Sequence, residues 1–121
     1  MVRFSDLGIS PDLVESLASQ GITEPFEVQA EAIPSLIKGR DLCCRAPTGS
    51  GKTLAFGLPM IERTKPAEPK RPTALILTPT RELAEQIRNV LDPLAWKSGM
   101  KVLSVYGGTS YGKQLKGLDR G

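Results

Sequence analysis

The eight residues Ala46-Pro47-Thr48-Gly49-Ser50-Gly51-Lys52-Thr53 constrain this chain more than any other stretch. They follow an apolar run, Asp41-Leu42-Cys43-Cys44, and precede a helical pattern, Leu54-Ala55-Phe56-Gly57-Leu58. Strand, glycine-rich loop and helix in that order are the context in which a P-loop works. Gly49 and Gly51 let the backbone turn tightly, so that the N–H groups from Thr48 through Ser50 to Thr53 can point at one anion. The helix that follows adds the positive end of its dipole. Lys52 supplies a mobile charge for outer phosphates, and the Thr53 hydroxyl can ligate Mg²⁺. The segment therefore reads as a nucleoside triphosphate site, against the plainer reading of a glycine-rich turn that happens to precede Lys-Thr.

Composition narrows the setting. With 121 residues, 40% hydrophobic and 24% charged, the chain has the make-up of one soluble globular domain. No apolar stretch has the length of a bilayer span, and the N-terminus lacks a secretory hydrophobic region, which predicts an intracellular, cytoplasmic protein without a membrane partner. The two cysteines, Cys43 and Cys44, are adjacent. Neighbours on a strand face opposite ways, so the expectation is two buried small hydrophobes and no disulfide. The sequence contains no histidine, which excludes His-based metal sites and His general bases. A net charge of +3 leans toward anionic partners without selecting one.

Along the chain, Ser10-Pro11 reads as an N-cap followed by proline at the first helical position. Leu13, Val14, Leu17 and Ala18 recur at helical spacing, and Gly21 is the stop. A second helix is predicted from Glu27 to Lys38, with Val28, Ala32, Ile33, Leu36 and Ile37 inward and a bend at Pro34. The first strand is predicted over Asp41–Ala46, and the helix after the P-loop should reach about Arg63. Thr64 to Pro72, with three prolines among Lys65, Lys70 and Arg71, reads as a surface loop. Ala74-Leu75-Ile76-Leu77 has the continuous apolar character of a strand covered on both faces. Thr80 should cap a helix carrying Leu83, Ile87 and Leu91 on one stripe, with Pro93 ending or kinking it. Lys101–Tyr106 is the third predicted strand and Thr109–Leu118 a last helix. A helical prelude followed by βαβαβα predicts an α/β fold, a parallel sheet in three layers.

These residues resemble the first recombinase-like (RecA-like) domain of DEAD-box RNA helicases. Gly21-Ile22-Thr23-Glu24-Pro25-Phe26-Glu27-Val28-Gln29 is similar to the family's Q motif, and Phe4 stands where its upstream aromatic belongs. Ala46–Thr53 is similar to motif I, Pro79-Thr80-Arg81-Glu82-Leu83-Ala84 to motif Ia, and Gly107-Gly108 to the GG motif. The motifs fall in family order over nearly the whole chain. The resemblance implies a helical Q-motif region over residues 1–40 and, over 41–121, a partial RecA-like P-loop core that stops before the DEAD motif.

It also implies site residues. Gln29 and Phe4 would hold adenine, since a Gln amide can accept from the exocyclic amine while donating to the neighbouring ring nitrogen. Lys52 and Thr53 would be the catalytic phosphate and metal contacts for ATP and Mg²⁺. Pro79, Thr80, Arg81, Gly107 and Gly108 would meet the RNA backbone, the first three at a helix N-terminus with free N–H groups. Taken alone, Gln29 could be a solvated helical residue, Phe4 a core anchor, Thr80 a simple cap, and Arg81 a partner for Glu85 one turn later. Phe26 occupies the Q-motif position where the family usually has Thr, so packing of its ring is expected to hold Gln29 instead.

No Asp-Glu-Ala-Asp or Ser-Ala-Thr segment occurs in the sequence. The expectation is an ATP-binding segment that needs the remainder of a helicase core for turnover. The rivals are a non-catalytic nucleotide-, RNA- or protein-binding module and a different P-loop enzyme such as a kinase, for which no acceptor site is recognisable.

Overall fold

Phe4 anchors the beginning of the chain. In the computed structural model, which describes residues 1–121, it opens a 3-10 turn, Phe4–Leu7, and is only 1% exposed. Helix α1, Pro11–Ser19, starts where Ser10 is extended and Pro11 pre-sets the first helical φ. Helix α2 runs Glu27–Ile37 and α3 runs Lys52–Arg63. The backbone N–H of Ser10 donates to the Glu62 carboxylate at 2.7 Å, which ties the start of α1 to the last turn of α3. Leu13 and Leu17 of α1, Ala32 and Ile33 of α2, and Leu54, Leu58 and Ile61 of α3 form the core with Phe4, Leu7 and Ile9. The helical turns thus place every third or fourth apolar residue inward, as their spacing predicts. Val28, Leu36 and Ile37 are half-buried, and Ala18 is exposed. These residues belong to the first of two units, Met1–Arg63; the second is Thr64–Gly121.

The second unit is built on α4, Arg81–Lys97, with α5, Tyr111–Asp119, after it. The Thr80 hydroxyl accepts from Leu83 N–H at 3.2 Å, so the predicted cap is present. Pro93 neither ends nor interrupts α4, which continues to Lys97. Pro93 and Asn89, the residue whose carbonyl loses its helical partner, are both exposed, while Leu91, Leu94 and Ala95 are buried. Water can satisfy the freed carbonyl, and burial of the opposite face holds the helix together.

The predicted strands form no ladder. The structure has helices, turns and a single isolated bridge between Glu68 and Arg71. Residues 41–46, 74–77 and 101–106 take part in no backbone–backbone hydrogen bond. A strand cannot satisfy its own N–H and C=O groups as a helix does; it needs a neighbour in register. Without one, Leu75 and Leu77 stand 78% and 86% exposed, the reverse of the doubly covered strand expected there. Cys43 and Cys44 are free and exposed as well, not buried.

Residues 101–106 nonetheless keep strand-like alternation. Ser104 and Tyr106 turn to Glu85 of α4. Leu103, one residue before them, lies against Gly117 of α5, close enough that a Cβ on that glycine would meet its Cδ2 at 2.9 Å. Side chains two apart share a face here, as they do along a strand. Asp92 accepts from Val102 N–H at 2.9 Å, and Gln114 from Tyr106 N–H at 2.7 Å. Side chains therefore take the place of a missing neighbour strand at these two amides.

Hydrogen exchange distinguishes these two kinds of segment. In the 121-residue chain, amides in the interiors of α2 and α3 should be protected, whereas those of Leu75, Ile76 and Leu77 should exchange near the unprotected rate. Slow exchange at 75–77 would mean that a ladder forms in solution.

Candidate functional site

Gln29 is the buried polar residue at the centre of the first unit's site. It lies in the first turn of α2 and is 2% exposed, which removes the reading of a solvated helical glutamine. Its Oε1 accepts from Phe26 N–H at 2.8 Å, satisfying one of the free donors at the start of α2. Its Nε2 donates to the Gly51 carbonyl at 3.1 Å. One side chain thus fastens the beginning of a helix to the P-loop. What holds Gln29 is this pair of hydrogen bonds; the Phe26 ring packs beside the same glycine, where a Cβ on Gly51 would meet Phe26 Cδ2 at 2.8 Å and Gln29 Nε2 at 2.5 Å.

A cavity of about 390 Å³ opens beside this joint, lined by Gly21, Ile22, Thr23, Glu24, Phe26, Gln29, Gly51 and Leu54. The Q-motif stretch and the P-loop therefore share one pocket. Phe4 does not line it; its burial fits the core-anchor reading. Gly49 and Gly51 have φ of 82° and 87°, conformations that L side chains avoid. Lys52 is exposed and in no ion pair, and the Ser50 hydroxyl is buried with no hydrogen-bond partner. A free cation and an unsatisfied hydroxyl on a glycine-rich loop at a helix N-terminus fit a polyphosphate chain. Thr53, half-buried in the first turn of α3, can add its hydroxyl. No cluster of three or more His, Cys, Asp or Glu residues is placed to hold a metal ion.

The second unit brings Arg81 together with the glycine pair. Arg81 does not pair with Glu85. Its guanidinium sits over the Tyr106 ring, 5.7 Å from the centroid, and against Gly108, where a Cβ would lie 3.1 Å from Nη2. Glu85 bonds elsewhere: Ser104 Oγ and Tyr106 Oη donate to its Oε1 at 2.6 and 3.0 Å. Arg88 reaches its Oε2, with Nε at 3.2 Å and Nη2 at 3.1 Å. The Ser104 and Tyr106 hydroxyls, with Arg88, hold the Glu85 carboxyl below the usual carboxylate range despite its partial burial. The bond to Glu85 and partial burial push the Tyr106 phenol up. Pro79, Thr80, Arg81, Gly107 and Gly108 are all exposed. Sequence reasoning named Glu85 only as a helical partner for Arg81, and it missed Ser104, Tyr106 and Gln114. The available signal was the position of Tyr106 immediately before the glycine pair.

The geometry at Gly51 makes a paired prediction. Gly49→Ala and Gly51→Ala both impose an unfavourable positive φ, costing about 1–2 kcal/mol each. Only at Gly51 does the new methyl also collide with Gln29 and Phe26, whereas nothing lies within 4 Å at Gly49. Urea unfolding should therefore find Gly51→Ala clearly less stable than Gly49→Ala. Equal midpoints would contradict the close packing of Gln29 on Gly51.

The sequence pattern of the DEAD/DEAH box helicase family matches residues 26–121. The chain is 43% identical to RNA helicase CrhR of Synechocystis sp. and, also at 43%, to ATP-dependent RNA helicase DeaD of Escherichia coli. Each match takes in 98% of this chain but 24% and 19% of those relatives, so the chain spans about a quarter or less of their length. Among solved structures it is similar to the RNA helicase Prp28 from Chaetomium thermophilum bound to ADP. There the TM-score is 0.85 and the identity 37%, over 99% of this chain and 30% of that one. A DEAD box protein from Methanococcus jannaschii superposes with a TM-score of 0.82 at 32% identity, over 99% of this chain and 33% of that one. The backbone course is thus that of the RecA-like domain of these proteins. On its motifs, its fold and the match over residues 26–121, the chain belongs to the DEAD/DEAH box helicase family.

Proposed function

We propose that this chain is the ATP-binding N-terminal segment of a DEAD-box RNA helicase, which in its parent protein couples ATP binding and hydrolysis to RNA binding and duplex unwinding. The observation that carries this reading is the Gln29 amide, fixed between Phe26 and Gly51 at the wall of the pocket. An amide oxygen has two lone pairs and an amide nitrogen two hydrogens. The protein uses one of each, leaving one acceptor and one donor. That is the pair needed for the amine and ring nitrogen of adenine, and it is mismatched to guanine. Lys52 would hold outer phosphates, Thr48, Gly49 and Gly51 through their N–H groups and Ser50 through its unpartnered hydroxyl would cradle them, and Thr53 would contact Mg²⁺. ATP supplies the phosphoryl group whose transfer drives the cycle.

Arg81, Thr80 and Pro79 beside Gly108 and Gly107 would contact the RNA sugar-phosphate backbone, which is supported by their common exposure and by the free N–H groups at the start of α4. The segments 41–46, 74–77 and 101–106 would pair into the parallel sheet when the remainder of the helicase core supplies neighbours. Their exposed apolar residues support this. The free thiols of Cys43 and Cys44 suit a reducing, cytoplasmic setting. No helix is long and apolar enough to cross a membrane.

Calorimetry tests the nucleotide site. Wild type should prefer ATP to GTP by about tenfold or more, since unmatched buried polar edges cost about 1–3 kcal/mol. Lys52→Ala should lose about 2 kcal/mol or more of ATP binding, the worth of a charge-assisted contact. Equal affinity of wild type and Lys52→Ala would remove the phosphate assignment. The 121-residue chain itself should show no RNA-stimulated hydrolysis, because it has no Asp-Glu-Ala-Asp segment to hold metal and water. RNA-dependent turnover by the chain would show those roles filled from within it.

A further inference from the structure

We propose that Glu85 is a positioning residue for the RNA-backbone site: it anchors Tyr106, whose ring carries the Arg81 guanidinium against Gly108. The inference rests on the reading that Arg81 and the glycine pair meet RNA, and adds to it the device that aims Arg81. Arg81 has no carboxylate partner in the structure; what meets its guanidinium is the Tyr106 ring on one side and Gly108 on another. A long, exposed arginine would otherwise sample many rotamers, and fixing one of them costs entropy at the moment of binding. A ring beneath it limits that freedom without neutralising the charge, so the guanidinium stays available for phosphate.

The ring must itself be held. Tyr106 is half-buried at the exposed end of residues 101–106, and its hydroxyl is fixed by Glu85 Oε1 at 3.0 Å. The same oxygen takes Ser104 Oγ at 2.6 Å, locking both inward residues of the segment to one point on α4. Arg88 occupies the second oxygen, which balances the carboxylate's charge and keeps it from drawing Arg81 away. Gly108, at φ 84°, has no side chain where the guanidinium rests. Glu85 thus sits one turn below Arg81, and its effect reaches Arg81 through an aromatic ring and not through an ion pair.

Simple electrostatics gives the opposite sign. Removing a carboxylate near an RNA-binding surface should tighten binding to a polyanion. Loss of positioning should weaken it. The test measures affinity for a fluorescein-labelled single-stranded RNA at fixed salt, with ATP affinity as the control, in the intact protein that carries this chain. Glu85→Ala should weaken RNA binding about fivefold and leave ATP affinity unchanged, a size usual for residues in one contact network. Glu85→Gln retains Oε1 for the two hydroxyls and should restore most of the loss. Tyr106→Phe, which is isosteric and leaves the carboxylate in place, should reproduce part of it.

The decisive arm is the double-mutant cycle: in an Arg81→Ala background, Glu85→Ala should have no further effect, because there is no guanidinium left to aim. Tighter or unchanged RNA binding by Glu85→Ala, or an equal loss with and without Arg81, would overturn the positioning role. Unchanged RNA binding by Arg81→Ala itself would instead overturn the reading of the RNA site on which the inference rests.

Discussion

The two hydrogen bonds of the Gln29 amide, one to Phe26 N–H and one to the Gly51 carbonyl, hold the first unit's site together. The first satisfies a helix terminus; the second fixes a loop that has no side chain of its own at that point. Gly51 must be glycine twice over, for its φ of 87° and for the space that Gln29 and Phe26 fill. Within the loop, Ser50 N–H donates to the Pro47 carbonyl at 3.2 Å. A further fastening comes from α2, through the Gln29 side chain. The same arrangement puts Gln29 and Gly51 on one wall of the pocket, where under the proposed function the group that reads the base would be bonded to the loop that holds phosphate.

The second unit follows a related plan with different chemistry. An exposed glycine pair and an exposed arginine are given definite positions by groups behind them, here an aromatic ring and a carboxylate. In both units a side chain from a helix disciplines a loop or an extended segment that would otherwise be loose. The extended segments themselves remain the incomplete part of the fold. Leu75 and Leu77 are exposed, and residues 74–77 make no backbone–backbone hydrogen bond.

Local features were legible in the sequence, and the reason is physical. The helix start at Ser10-Pro11, the Thr80 cap and the apolar stripes of the helices depend on residues within a few positions of one another. The helices start where expected and most stripe residues are buried or half-buried, although Ser10 makes no side-chain cap bond and Ala18 is exposed. The P-loop was legible because its glycines and Lys-Thr are contiguous. The sheet was not, because a ladder depends on partners distant in the chain: Ala74–Leu77 has strand composition and no strand pairing. Pro93 does not end α4, because burial of Leu91, Leu94 and Ala95 outweighs one missing hydrogen bond on an exposed face. Arg81 and Glu85 are spaced to pair on a helix, yet each has a better tertiary partner, Tyr106 for one and Ser104, Tyr106 and Arg88 for the other. Gln29 was identified as important through resemblance; its burial and its bond to Gly51 came only with the structure.

Thermal unfolding of wild type and Gln29→Ala, each with and without ATP, tests the central claim that one amide both builds the site and reads the base. Removing it leaves Phe26 N–H unpaired and takes from the Gly51 carbonyl one of its two donors, the other being Ala55 N–H at 3.2 Å, a cost of about 1–3 kcal/mol. For a domain this small, that is a fall in Tm of about 5 °C or more without nucleotide. The rise in Tm that ATP gives to wild type should also shrink in the variant. An unchanged Tm without nucleotide, or an undiminished rise with ATP, would contradict the account.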